Sequence, residues 1–284
     1  IKMKKNFTFI IFFIQIVSLL GQTSLHTKDS ETQKNISYVN IGIVGDNFGY
    51  TSDENGKFTI KKNDIDKNLI FSAVGYKQKI VNLKDFQQDN IYLEPEAYQL
   101  SEVVIESQQN SKTAIKTTKG KTTFVYNNLR RDEPSLTLIA KFFPKNSEVP
   151  FLKTIKLKTK SYSNESKFNI RFYNVGENGA PNNLIYDKNV FCVAKKDSYT
   201  NKIDVSSYNI EIPENGIFIV FEYLLIDQNK FELKYDNKQV STILYNPQIP
   251  MIKDSKNFDT WLNRDGNWIK HKIFSLGLEI VLTN

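Results

Sequence analysis

Short runs in which β-branched and aromatic residues alternate with polar ones recur along most of this chain, and no stretch sustains a helical period. That alternation places successive side chains on opposite faces of an extended backbone, so it constrains the fold to strands buried on one side. The runs fall at residues 38–44, 58–60, 69–74, 91–93, 151–157, 168–173, 190–193, 217–223 and 276–282. Between them stand Asp53-Glu-Asn-Gly56, Glu177-Asn-Gly179, Glu214-Asn-Gly216 and Asp265-Gly266. Gly supplies the positive φ that tight turns need, and Asn and Asp tolerate it. Short strands punctuated in this way predict an all-β protein built of sandwiches.

Composition removes several other classes. Twenty Phe and 14 Tyr are too many aromatics for a disordered chain. A single Cys, Cys192, cannot staple a disulfide scaffold. The 284 residues suffice for one large or two modest domains, each able to bury a core.

The N-terminus reads as a secretory signal segment over residues 1–21. Ile1 and Lys2 precede Met3, the natural start, then Lys4 and Lys5 form a basic region. An apolar run over 7–20 follows, broken only by Thr8, Gln15 and Ser18, and the chain turns polar after Gly21. That order is the layout of a cleaved export signal, and the run is short for a membrane-spanning helix. Cleavage is expected after Gly21, and Gln22 rather than Cys then stands first, which excludes lipid attachment there. No second run is long enough to span, so the mature chain is expected to have no transmembrane segment. The expected address is the periplasm, the outer membrane or the cell surface.

Removing 1–21 takes away Lys2, Lys4 and Lys5 and no acid, so the net charge falls from +7 to +4. The lysines are scattered between acids along the chain and form no evident stripe, so nucleic acid is not an expected partner. Residues 107–121 (SQQNSKTAIKTTKGK) hold four lysines, no acid and only Ala114 and Ile115 as apolar residues. This segment is expected to be a solvated linker. It divides the chain into domains at 22–106 and 122–284.

In the first of these, the order of motifs resembles the carboxypeptidase regulatory-like domain. The carrying residues are those from Lys28 to Ile43, Gly49, Thr51-Ser-Asp-Glu-Asn-Gly-Lys-Phe58, Leu69-Ile-Phe-Ser-Ala-Val-Gly-Tyr76, Ile91-Tyr-Leu93 and Leu100-Ser-Glu-Val-Val-Ile105. The resemblance covers nearly all of 25–105 and implies a transthyretin-like, seven-stranded β-sandwich. Such domains are common in exported envelope proteins of Bacteroidetes-type bacteria. The first strand departs from the family's Gly-x-Val pattern and reads Leu25-His-Thr-Lys28. In carboxypeptidases the domain carries no catalytic group, and the zinc peptidase itself needs His-x-x-Glu. Neither His26 nor His271 has Glu three residues on. In large outer-membrane transporters the domain ends in Leu-x-Glu-Val-Val, as at Leu100 to Val104, ahead of a plug and barrel. The remaining chain is short for those, so a transporter is not expected. Shorter exported proteins that add one β-rich domain are the closer match. Residues 122–284 resemble that second domain through Asn169-Ile-Arg-Phe-Tyr173, Asn178-Gly-Ala-Pro-Asn-Asn-Leu184, the segment 203–213 and the segment 216–223. They imply a larger, jelly-roll-like sandwich.

The one candidate binding constellation is Trp261 and Trp268, flanking Asp265-Gly266 on the expected arms of a hairpin. Trp faces pack on sugar C–H bonds while the ring N–H still bonds, so the pair is a candidate glycan platform, set against hairpin packing. Tyr223, Tyr245 and Phe258 either extend it or belong to the core. Asp53-Glu54-Asn55-Gly56 lacks the spaced ligands of a calcium loop. Cys192 has no local base. Glu94 and Glu96 flank Pro95 as loop charges, and His26 and His271 have no metal-ligand spacing. No catalytic residue, metal or cofactor is therefore expected. Three functions stand in order: a non-enzymatic envelope interaction or scaffold protein partnered by another envelope protein, a glycan-binding protein, and an unrecognised hydrolase.

Overall fold

The computed structural model describes residues 22–46, 49–84, 86, 88–96, 113–116, 122–126, 129–130, 133–134, 138–234, 241–253, 259–264 and 267–284. The segment read as an export signal lies outside these residues. The chain forms two compact units, one centred on residues 22–95 and the other on 96–284. Among the described residues there is no α-helix, and no helix is long and apolar enough to cross a membrane.

The first unit has the seven strands expected of it: β1 (Gln22–Asp29), β2 (Asn40–Ile43), β3 (Gly49–Thr51), β4 (Lys57–Lys61), β5 (Asn68–Ser72), β6 (Lys79–Asn82) and β7 (Asn90–Leu93). They form a three-stranded sheet, β4-β1-β7, and a four-stranded sheet, β3-β2-β5-β6. The strand that departs from the family pattern, β1, is the central one of its sheet. It runs antiparallel to β4 and parallel to β7, with Leu25 opposite Phe58 and Thr27 opposite Ile91. Alternation decides the core: Leu25, Phe58, Ile60, Leu69, Phe71, Ile91 and Leu93 are buried. Phe58 and Phe71 meet edge to face at 5.7 Å. Thr27 is also buried, and its Oγ1 donates to Ile36 O at 2.7 Å, which meets the requirement that a buried hydroxyl be bonded. Asp53 Oδ1 accepts the N–H groups of Asn55 and Lys57 at 2.8 and 2.9 Å, and Gly56 takes φ +73°. A Cβ at Gly56 would lie 2.8 Å from Thr27 O. The Asp53–Gly56 segment is thus a tight turn against β1, which only Gly closes without strain.

The second unit contains β8 (Thr113–Lys116), β9 (Thr122–Tyr126), β10 (Leu129–Arg130), β11 (Glu133–Pro134), β12 (Leu138–Phe143), β13 (Phe151–Ser161), β14 (Ser166–Val175), β15 (Pro181–Leu184), β16 (Val190–Ala194), β17 (Asp197–Asp204), β18 (Ile217–Tyr223), β19 (Lys230–Lys234), β20 (Ser241–Tyr245), β21 (Ile249–Lys253), β22 (Thr260–Arg264), β23 (Asn267–His271), β24 (Phe274–Leu276) and β25 (Leu278–Thr283). One sheet runs β15-β14-β18-β12-β22-β23, with β16 also paired to β14. Facing it are a sheet β17-β13-β25-β8 and a shorter one, β24-β21-β9. The core between the layers takes Phe168, Ile170 and Phe172 from β14 and Ile219, Phe221 and Tyr223 from β18. It meets Ile155 and Leu157 from β13 and Leu278, Ile280 and Leu282 from β25. This is the larger antiparallel β-sandwich that the sequence leads one to expect. Each fully buried Phe or Leu contributes about 1.5–3 kcal/mol relative to exposure. Within the span read as a linker, the backbone of Thr113–Lys116 pairs antiparallel with β25, Ile115 opposite Val281. The rest of that span lies outside the described residues.

Candidate functional site

Trp261 and Trp268 do sit on the two arms of one hairpin, β22 and β23, with Trp261 opposite Lys270 and Asn263 opposite Trp268. Cross-strand partners share a face, so both Trp side chains lie on one side of the sheet. That side faces away from the sandwich core. There Ala140, Phe218 and Val220 are buried beneath Leu138, Phe142, Tyr173, Val175 and the two Trp. Trp261 meets the Phe218 ring edge to face at 6.2 Å, and Trp268 meets Tyr173 in the same way at 6.0 Å. Lys270 Nζ stands 5.6 Å from the Trp261 ring centre, a cation–π distance. Both Trp are half-buried. They therefore pack into an aromatic layer on the outer face and keep part of each ring in solvent.

Register then shows what lies beside them. Arg171, Val220, Ala140, Trp261 and Lys270 align in one cross-strand row, and Asn169, Glu222, Leu138, Asn263 and Trp268 in the next. Arg171 and Glu222 form a buried bidentate pair, NH2 to Oε1 at 2.6 Å and Nε to Oε2 at 2.6 Å. Asn169 Nδ2 donates to Glu222 Oε2 at 2.8 Å, and its Oδ1 accepts the Val190 N–H at 2.9 Å. Burial opposes the Arg171 charge, but the Glu222 carboxylate and the Tyr173 hydroxyl outweigh it and hold the guanidinium above its ordinary range. Sequence reading passes over this cluster. Its mark in the sequence is a single charge inside an otherwise apolar strand, as in Asn-Ile-Arg-Phe and Val-Phe-Glu-Tyr.

The same mark appears in Leu-Ile-Ala-Lys-Phe-Phe, where Lys141 turns inward from β12. Its Nζ donates to Leu276 O and Leu278 O at 3.0 Å each and stands 3.7 Å from Asp259 Oδ2. Asp259 Oδ1 in turn accepts Ser275 Oγ at 2.6 Å.

Other sequence candidates resolve to structural roles. Tyr223 is buried in the sandwich core, where its hydroxyl donates to Tyr126 O at 3.2 Å and burial raises its pKa. Tyr245 is buried there as well. Phe258 and the turn expected at Asp265-Gly266 lie outside the described residues. In place of Tyr223 and Tyr245, Phe142, Tyr173 and Phe218 adjoin the Trp pair. Cys192 is buried, donates to Val190 O, and burial pushes its thiol up to about 12, the opposite of what a nucleophile needs. His271 Nδ1 accepts the Phe274 N–H at 3.1 Å, and His26 lies in β1. Glu94 pairs with Lys77 at 3.2 Å. Among the described residues no group of three His, Cys, Asp or Glu is placed to hold a metal ion.

Residues 26–105 match the family model described as the CarboxypepD_reg-like domain, so β1 to β7 belong to a domain of that class. No curated protein matches the chain. Among solved structures, a clostridial cysteine protease after propeptide cleavage aligns at TM-score 0.39 and 9% identity, over 93% of this chain and 71% of that one. The cysteine protease and lectin-like domains of a surface-layer-associated protein of Clostridium difficile align at TM-score 0.36 and 8% identity, over 93% of this chain and 58% of that one. An infectious bursal disease virus structure aligns at TM-score 0.27 and 11% identity, over 93% and 63%.

Proposed function

We propose that this chain is a non-enzymatic interaction or scaffold protein of a bacterial cell envelope, exported by its N-terminal segment and partnered by another envelope protein. The observation that carries this reading is the edge of the four-stranded sheet in the first unit, on which no strand pairs among the described residues. Strand β6 ends the order β3-β2-β5-β6, and Ile80 on it is 61% exposed. Ile80 lies opposite Ile70, and Val44 is exposed in the same unit. An edge strand carrying an apolar side chain is a template for a strand from a partner, bound through main-chain hydrogen bonds. A domain of this family, which supplies no catalytic group where it accompanies peptidases, suits that role. Cross-linking a tagged copy in cells and identifying what is captured tests it. One dominant protein partner is expected, lost on Ile80→Asp while the protein still melts cooperatively. Capture that is unchanged by Ile80→Asp, or no protein partner, overturns the reading.

A second reading, glycan binding, is favoured by one observation: Trp261 and Trp268 share a face with Phe142, Phe218 and Tyr173. Flat, half-exposed rings of this kind stack on sugar rings. Replacing both Trp with Ala is expected to abolish retention on a neutral polysaccharide without unfolding the sandwich. Retention that survives the double change removes the idea.

A further inference from the structure

The lysines that look scattered along the sequence are gathered by strand geometry. In Lys153-Thr-Ile-Lys-Leu-Lys-Thr-Lys160 the period of two sends Ile155, Leu157 and Thr159 into the core, all buried, and Lys156, Lys158 and Lys160 to the outer face of the sheet. Successive lysines on such a strand stand about 6.5–7 Å apart. Lys202 on β17 lies directly opposite Lys156, while Thr200 and Ser198 lie opposite Lys158 and Lys160. The acids nearby do not neutralise the row. Glu279 reaches Lys156 at 3.9 Å, and Asp204 is held low by hydrogen bonds from Ser206 before any contribution from Lys153 and Lys202. Among the described residues Lys156, Lys158, Lys160 and Lys202 thus share this part of the sheet with two carboxylates, Glu279 and Asp204. The stripe ends at Tyr162, which is 45% exposed, stacked on Phe231 at 4.6 Å, with Lys160 Nζ 5.2 Å from its ring centre.

Like charges on neighbouring positions of a sheet repel, and the folded state holds them together here without a matching row of acids among the described residues. A bound polyanion removes that repulsion and releases its own counter-ions. We propose that this face binds a linear acidic polysaccharide, carboxylate groups on the chain meeting Lys156, Lys158, Lys160 and Lys202. The charges run along one strand for about 13 Å, from Lys156 to Lys160, which suits an extended chain with regularly repeated charges. Ser198 and Thr200 supply neutral hydroxyls between the cations, matching a ligand rich in hydroxyls. Lysine is a hydrated point charge without the planar fork that reads phosphate bidentately. Among the described residues the large apolar side chains here are confined to Tyr162 and its stacking partner Phe231 at the end of the stripe, which disfavours insertion into lipid. None of these residues belongs to the Trp hairpin or to β6, so the site stands or falls without them.

Calorimetric titration of the purified protein with polygalacturonate tests it. Binding is expected at about 50 mM salt, weakening at least about tenfold by 200 mM. The triple variant Lys156→Gln, Lys158→Gln, Lys160→Gln is expected to bind at least about tenfold more weakly. A control triple in the first unit, Lys57→Gln, Lys77→Gln, Lys84→Gln, carries the same change of net charge and is expected to stay within about twofold. Should the β13 triple melt early, Lys158→Glu alone, at an exposed position, is expected to weaken binding in the same direction. Three results overturn the proposal: no binding of polygalacturonate by the unmodified protein, equal loss in both triples, or tighter binding of single-stranded DNA or phosphatidylglycerol vesicles through the same lysines.

Discussion

Replacing Glu222 with Ala is expected to lower the unfolding free energy by about 3–5 kcal/mol, the usual cost of removing one member of a buried ion pair. The geometry places this pair at the severe end. Both side chains are nearly inaccessible, and the two contacts of 2.6 Å are charge-assisted and parallel. The variant leaves a guanidinium in a low-dielectric site without its bidentate counter-ion, and a guanidinium does not escape by losing its proton. Asn169 loses an acceptor in the same step, and that residue also holds the Val190 N–H at the edge of β16. Urea unfolding is the measurement. Replacing both partners, Arg171→Met with Glu222→Leu, is expected to recover most of the loss, since an apolar pair of similar volume avoids both desolvation penalties. A Glu222→Ala protein within about 1 kcal/mol of the parent would falsify the view that the cluster is desolvated. The double variant also separates fold from recognition. If the outer aromatic face binds sugar through Trp261 and Trp268 alone, binding survives in it.

How much of this is legible in the sequence depends on whether a strand is buried on one side, on both, or on neither. One-sided burial writes itself as alternation, and β4, β5 and β7 are found near their observed bounds for that reason. Strand β18 is buried along its whole length, so it reads as an apolar run and is found as well. Strand β17, Asp-Ser-Tyr-Thr-Asn-Lys-Ile-Asp, is an edge strand with most side chains exposed, and nothing in its polarity marks it. The expected strand at 276–282 is divided at Gly277 into β24 and β25, which pair with different neighbours. The strand expected at 151–157 ends too early to show the lysine stripe. The strand continues to Ser161, and only the longer strand shows that Lys156, Lys158 and Lys160 share a face. The Trp hairpin is legible because the Asp265-Gly266 turn signal in the sequence separates two residues of distinctive type. What that hairpin packs on is not, since Phe142, Tyr173 and Phe218 come from strands distant in sequence and meet through sheet order. The ion clusters are the instructive failure. A charge within an apolar strand is the whole of their sequence mark, and its partner is specified by topology alone.

Replacing Asp259 with Ala is expected to cost a further 3–5 kcal/mol or so in the inner cluster, and the asymmetry between the two partners is the sharper test. Lys141 is 2% exposed at its side chain and Asp259 17%, so the lysine is the member that water cannot rescue. Without the carboxylate, the ammonium keeps the carbonyl bonds to Leu276 and Leu278 and loses its opposite charge. Ser275 Oγ and Thr260 Oγ1 lose an acceptor, and Thr260 Oγ1 is itself the acceptor for the Leu276 N–H. Lys141→Met removes the charge and keeps much of the volume. Asp259 then retains Ser275, Thr260 and some solvent, so the loss is expected to be smaller, about 1–2 kcal/mol. The double variant is therefore expected to be more stable than Asp259→Ala alone, a sign that no additive pair of surface contacts produces. Denaturant melts of the three variants give the answer. A double variant that is less stable than both singles would show that Lys141 and Asp259 act independently. It would reassign the inward turn of Lys141 to its two carbonyl bonds, which by themselves tie β12 to the backbone on either side of Gly277.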